Sequence, residues 1–165
     1  MAKQKVSKTN AVRQLDQNGI PYELMEYNVD DGQIDGVTVA QKTGQPVETV
    51  YKTLVTTAGP GKLYVFVIPV AEELNLKEAA KAVKEKKLEM LHVKDLLPTT
   101  GYIRGGCSPV GMKKLYPTFI HSAAQELQTI VVSAGKQGLQ MKLQPAELMK
   151  ITRATYSELT QSSND

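Results

Sequence analysis

The chain of 165 residues has no tryptophan, two phenylalanines and seven tyrosines. With aromatics at 5%, stacking on nucleic-acid bases is not its main mode of binding. A single cysteine excludes an intramolecular disulfide framework and suits a reducing compartment. One Cys and two distant His residues offer no zinc spacing, so no metal is expected. Neither the P-loop nor the dinucleotide fingerprint occurs, so no cofactor is expected. No apolar run approaches the ~20 residues of a membrane span. The basic start Met1-Ala2-Lys3-Gln4-Lys5 lacks the apolar core of a signal peptide. A cytoplasmic protein with no membrane partner is expected. Charge of one sign is lacking too: 20 Lys and Arg against 17 Asp and Glu leave +3, compatible with a phosphate-bearing ligand without establishing one.

A hydrophobic content of 41% with 22% charged residues describes an ordinary globular chain. Its length suits one domain over residues 1–165, with a core from about 9 to 159. Thr9 or Asn10 can cap a first helix with Ala11, Val12 and Leu15 inward, stopped by Asn18-Gly19. Residues 20–29 read as a strand whose start Pro21 demotes to an edge. Residues 30–36 form an acidic loop without the ligand spacing of a calcium site. A short helix over 37–42 ends at Gly44, and Pro46 opens a turn. Strands over 50–55 and 63–68, joined by Ala58-Gly59-Pro60-Gly61, make a central hairpin. Asn75 caps a helix over 76–84 with Leu76, Ala79, Ala80 and Val83 inward. Residues 88–97 are ambiguous and closed by Pro98. Strands follow over 118–121, 129–133 and 139–143, with a helical turn at 123–127. Pro145 starts a closing helix with Leu148, Ile151 and Leu159 inward, and the polar tail 161–165 is expected to fray. Helices and strands mix without regular alternation. The fold class is therefore α+β, a mixed and mostly antiparallel sheet, barrel-like, flanked by helices.

Three features stand out from this frame. Lys52 lies within a strand on the face of Val50 and Leu54, so its ammonium must snorkel to water or meet an anion. Lys77, Lys81 and Lys84 share one side of a helix, ordinarily solvated surface but also a candidate face for a polyanion. Gly105-Gly106-Cys107-Ser108-Pro109-Val110-Gly111 carries more glycine than a connection needs, and glycines let backbone N–H groups approach a ligand. Lys113 and Lys114 keep that neighbourhood positive. Cys107 invites a nucleophile reading, yet only His92 and His121 could serve as its base; a small side chain packed under the loop is the simpler account.

Tyr51-Lys52-Thr53-Leu54, Gly105-Gly106-x-Ser108-Pro109-x-Gly111 and Ser133-Ala134-Gly135-Lys136-x-Gly138-Leu139, in that order, resemble the YbaK/EbsC family. These are trans-editing deacylases similar to the editing domain inserted in bacterial prolyl-tRNA synthetases, and the resemblance is strongest to the branch that clears Cys from proline tRNA. It implies that fold, and an aminoacyl-tRNA deacylase in which the substrate's own thiol attacks its ester while the protein positions it. It implies Lys52 as the central catalytic residue, and a substrate pocket at Tyr27, Thr53, Gly105, Gly106, Ser108 and Gln140. Backbone N–H groups at Gly105 and Gly106 would face the oxyanion. It implies mischarged tRNA as substrate and prolyl-tRNA synthetase as partner. Cys107 falls at a variable position of the loop. Gln140 stands where many relatives carry Asp, keeping hydrogen bonding without charge. The alternatives are a deacylase for another small aminoacyl group and a non-catalytic EbsC-type regulatory or binding protein.

Overall fold

The computed structural model describes residues 8–160; the expected frayed tail lies outside them. Thr9 caps α1 (Asn10–Gln17), its Oγ1 accepting from Val12 N at 3.1 Å, and Ala11, Val12 and Leu15 are buried. Helix α2 (Gly36–Thr43) is capped by Asp35 and stopped by Gly44 at φ +70°. Helix α3 (Leu76–Val83) starts at Asn75, whose side chain accepts from Lys77 N and Glu78 N. Its inner face is Ala79 and Ala80; Leu76, expected inside, is 37% exposed because it sits at the first position of the helix.

The expected strand over 20–29 shrinks to β1 (Glu23–Glu26). Its partner among the described residues, β7 (Leu139–Leu143), faces it from Glu23 opposite Lys142 to Glu26 opposite Leu139. One further bond, Tyr27 N to Gly138 O at 3.0 Å, carries the chain on before it leaves the ladder. The central hairpin is β2 (Tyr51–Gly59) and β3 (Lys62–Pro69), antiparallel with a bulge near the turn. Val65, Phe66, Val67 and Ile68 are all fully buried, as a strand covered on both faces requires.

Residues 88–97 resolve into β4 (Glu89–Met90) and the start of α4 (Val93–Thr100). Pro98 lies inside α4 rather than closing it. The helix stops at Gly101, at φ +89°, whose N–H reaches Leu97 O at 2.8 Å. The second half supplies β5 (Thr118–His121), a 3-10 turn over Ser122–Glu126, β6 (Ile130–Lys136) and α5 (Pro145–Thr152). Helix α5 ends earlier than expected, with Arg153 in the left-handed region at φ +56°. The chain then forms β8 (Thr155–Ser157), and Leu159 is buried beyond that strand rather than on a helix. A three-residue strand carries too little alternation to be seen in the sequence.

The sheets run β1-β7-β6 and β4-β2-β3-β5-β8, parallel only at β3–β5 and β5–β8. They meet at a parallel bridge between Val50 and Val131. The barrel-like closure expected from sequence does not form: each sheet keeps open edges. The α+β class holds. One core cluster joins Tyr51, Val67 and Ile120 of the larger sheet to Ile130, Val132 and Met141 of the smaller.

Candidate active site

A cleft of about 90 Å³ opens where the two sheets meet, lined by the start of β2, the end of β1, α2, β6, β7 and the glycine loop. Tyr27, Lys52, Thr53, Gly105 and Gln140 all reach it, from segments up to 113 positions apart in the sequence. Pairing of Ser133 with Gln140 across β6 and β7 places both side chains on the cleft face. Two features set it apart from packing. Lys52 is half-buried and has no hydrogen-bond or ion-pair partner among the described residues. Thr53 Oγ1 and Gln140 Oε1 are the buried side-chain oxygens left without a partner there. A buried polar atom so left costs about 1–3 kcal/mol, an expense that a bound ligand removes.

The glycine loop contributes differently from the sequence expectation. Gly105 lines the cleft with φ +83°, and a side chain there would meet Ile34 Cδ1 at 2.8 Å. Gly106 does not line it. Its N–H donates to Ile103 O at 2.9 Å, and a Cβ would strike the Lys136 and Gln137 backbone at 2.8 Å. Ser108 is fully buried, its Oγ accepting from Val110 N at 3.2 Å. Gly106 holds the loop against the turn between β6 and β7 and Ser108 braces the loop from within; neither lines the cleft. Gln137 Nε2, donating to Arg104 O at 2.8 Å, adds to the same junction.

The cleft lining contains no His, Asp or Glu. Cys107 reaches it, but burial pushes its thiol up to about 12, against a weaker lowering hydrogen bond with Thr100. At neutral pH it is a small apolar group. His121 accepts from Leu159 N through Nδ1 at 3.2 Å, and His92 begins α4; neither lines the cleft. Burial also raises the Tyr51 phenol. Among the described residues no cluster of three or more His, Cys, Asp or Glu is placed to hold a metal. The sequence reading missed Ile34, Gly36, Val39, Val50, Val70 and Ser133 as lining. Gly36 had a detectable signal only in space: a Cβ there would lie 2.3 Å from Val70 Cγ1.

Away from the cleft, Lys77, Lys81 and Lys84 are exposed on and after α3, with Lys81 3.6 Å from Glu78. A larger groove of about 350 Å³ lies between the ends of α1 and α5 and the segment after the glycine loop. Lys113, Lys114, Lys150 and Arg153 line it, with no carboxylate in the lining. It is roomier than the cleft but holds none of the orphaned oxygens, so the chemistry belongs to the smaller site.

Residues 35–151 match the model of the aminoacyl-tRNA editing domain. A protein of Enterococcus faecalis provisionally named Cys-tRNA(Pro)/Cys-tRNA(Cys) deacylase EbsC is 45% identical over 161 residues, covering 97% of this chain and 98% of its own. A crystal structure described as a candidate trans-editing enzyme for prolyl tRNA synthetase superposes with a TM-score of 0.83 at 22% identity, over 95% of this chain and 100% of that one. A structure of a hypothetical protein does so with a TM-score of 0.84 at 18% identity, over 93% and 100%. At those identities the two structures speak for the fold alone. No described helix is long and apolar enough to cross a membrane.

Proposed function

This chain belongs to the aminoacyl-tRNA editing-domain family, and from that premise we propose that it is a trans-acting deacylase that removes Cys from mischarged proline tRNA in the cytoplasm. The observation that carries the reading is Lys52, a half-buried cation without a partner among the described residues, in one cleft with two oxygens likewise unpartnered there and with no His, Asp or Glu in its lining. A cleft of about 90 Å³ is small and suits a small aminoacyl side chain. The name of the Enterococcus faecalis relative points to the same substrates.

With no base beside a protein nucleophile, the substrate's thiol supplies the attack. Its sulfur forms a bond to the ester carbonyl carbon, and the bond to the ribose oxygen breaks. The tRNA hydroxyl takes the proton, and a cyclic thiolactone leaves. The protein contributes positioning and charge. Lys52 meets the anionic part of the substrate, the developing oxyanion or the terminal phosphate, and the Thr53 hydroxyl donates alongside it. With the Gly106 N–H already bonded to Ile103, the oxyanion falls to these side chains. Mischarged tRNA is the nucleic-acid partner, and the four cations of the larger groove offer its backbone a second surface besides the Lys77, Lys81 and Lys84 side of α3. A prolyl-tRNA synthetase that presents the tRNA would offset the weak overall charge.

The test is release of labelled Cys from Cys-tRNA(Pro) by wild type and by Lys52→Ala. Turnover lost in a folded variant supports the reading; an active variant overturns Lys52's role. Ser in place of Cys on the tRNA stops the reaction only if the thiol attacks, which separates this chemistry from water-driven removal of another small amino acid. Any multiple-turnover release removes the binding-only alternative.

A further inference from the structure

The cleft is unbalanced in charge and in hydrogen-bond polarity. Its lining has one cation, Lys52, and no anion. The carboxylates near its walls are either turned to other work or exposed outside it. Glu23 pairs with Lys142 at 3.6 Å, Asp31 pairs with Lys42 at 2.9 Å, and Asp35 caps α2 through Thr38 N. Glu72, whose charge reaches Tyr51, accepts from Thr160 Oγ1, and Glu26 is exposed at the end of β1. Of the other ionisable side chains on the cleft, burial raises Tyr51 and Cys107 and so keeps both neutral; Tyr27 lines it too, while Lys136 at the end of β6 is exposed and outside it. Against this background Gln140 is 7% exposed, and its Oε1 has no donor among the described residues. An amide oxygen only accepts. The ligand group it fits is therefore a donor, and one that tolerates a cation nearby and no counter-charge.

An aminoacyl ester has one strong donor next to its carbonyl, the α-amine, whose ordinary pKa is about 8. As an ammonium it would be desolvated beside Lys52 with nothing to compensate, which disfavours the charged form. As a free amine it has N–H groups to give and no charge to bury. We propose that the cleft takes the aminoacyl group with its α-amine unprotonated, the nitrogen donating to Gln140 Oε1. This deepens the deacylase reading and rests on it. Gln140 then acts as a positioning residue that selects the protonation state of the substrate. The amine's proton is released to solvent on binding, so uptake of the substrate is coupled to pH.

Binding of two non-hydrolysable probes tests this without turnover: 3′-alanylamido-adenosine 5′-phosphate and its des-amino counterpart, the 3′-propionylamide. Both are titrated onto the full chain from pH 5.5 to 9. For wild type, the affinity of the amino probe relative to the des-amino probe is expected to fall about tenfold per pH unit below the amine pKa and to level off above it. The des-amino probe carries any pH dependence of the protein itself, so the ratio isolates the amine. In Gln140→Glu a carboxylate accepts the ammonium, and the fall at low pH disappears. In Gln140→Leu the high-pH preference for the amino probe is lost while the des-amino probe still binds. A wild-type ratio that is flat with pH, or that rises as pH falls, overturns the inference while leaving the site intact. Failure of both probes to bind overturns the reading of the cleft itself.

Discussion

Thr53 on β2 and Gln140 on β7 line one cleft from two different sheets, and each buries an oxygen without a hydrogen-bond partner among the described residues. A ligand that hydrogen-bonds these oxygens offsets the cost of burying them. Replacing Thr53 with valine removes the orphaned hydroxyl at nearly constant shape. Thr53→Val is expected to be more stable by about 1 kcal/mol, raising Tm by about 2–4 °C, while KM for the charged tRNA rises. Thermal unfolding and steady-state deacylation measured on the same preparation check both halves. A variant that loses stability would mean the hydroxyl is satisfied in the protein itself.

Gly106 is spent on holding the loop. Its N–H serves Ile103 and its Cα hydrogens face the Lys136–Gln137 backbone, where a Cβ would stand at 2.8 Å. Backbone cannot swing aside as a side-chain tip can. Gly106→Ala is expected to cost about 1–3 kcal/mol in urea unfolding and to loosen the loop that carries Gly105 to the cleft. An alanine variant as stable as wild type would show that the junction of loop and turn yields freely.

Much of this arrangement was legible in the chain and some was not, for physical reasons. The hairpin announced itself because Val65 to Ile68 is continuously apolar, and the caps at Thr9 and Asn75 sit beside clear periodicity, whereas the Asp35 cap was hidden in a loop of several acidic residues. Lys52 stood out because a cation among strand residues must be explained. Pro98 misled because proline is read as a stop, whereas near the end of α4 little of the helix remains to be interrupted. Strand β8 is too short to show a period, and β1 is shorter than its pattern because its length is set by β7, a partner more than a hundred residues away. The roles of Gly106 and Gly36 depend on which backbone or side chain lies opposite, and only the fold supplies that.

Cys107 faces the cleft from a buried position, with its thiol pushed up to about 12. A thiolate is the reactive form, and at pH 8 such a group is ionised to about one part in ten thousand. Reaction with Ellman's reagent in the native protein is therefore expected to be orders of magnitude slower than in urea, where the thiol recovers ordinary acidity. The native rate should climb with pH across the whole range to 10 without a plateau. A plateau near pH 8 would indicate an accessible, ordinary thiol and reopen the question of a protein nucleophile.

The two basic surfaces can be told apart by salt. Binding to a phosphate backbone weakens with salt in proportion to the number of phosphates neutralised, so each cation removed from the contact lowers the slope of log K against log salt by about one. In the groove, Lys114 and Arg153 have no ion-pair partner among the described residues, whereas Lys150 lies 3.9 Å from Glu147 and Lys113 donates to Pro98 O at 3.1 Å. On α3, Lys81 is partly answered by Glu78 at 3.6 Å. Lys77 and Lys84 are as free as Lys114 and Arg153, but the groove gathers four cations with no carboxylate in its lining, so it should matter more. Lys114→Glu with Arg153→Glu is expected to lower the slope for uncharged tRNA by about two and to raise KM for full-length charged tRNA. The same double variant should leave turnover of a short aminoacylated CCA fragment, which needs only the cleft, within about twofold of wild type. If Lys77→Glu with Lys81→Glu produces the larger loss instead, tRNA crosses the α3 side and the groove is left to another polyanion.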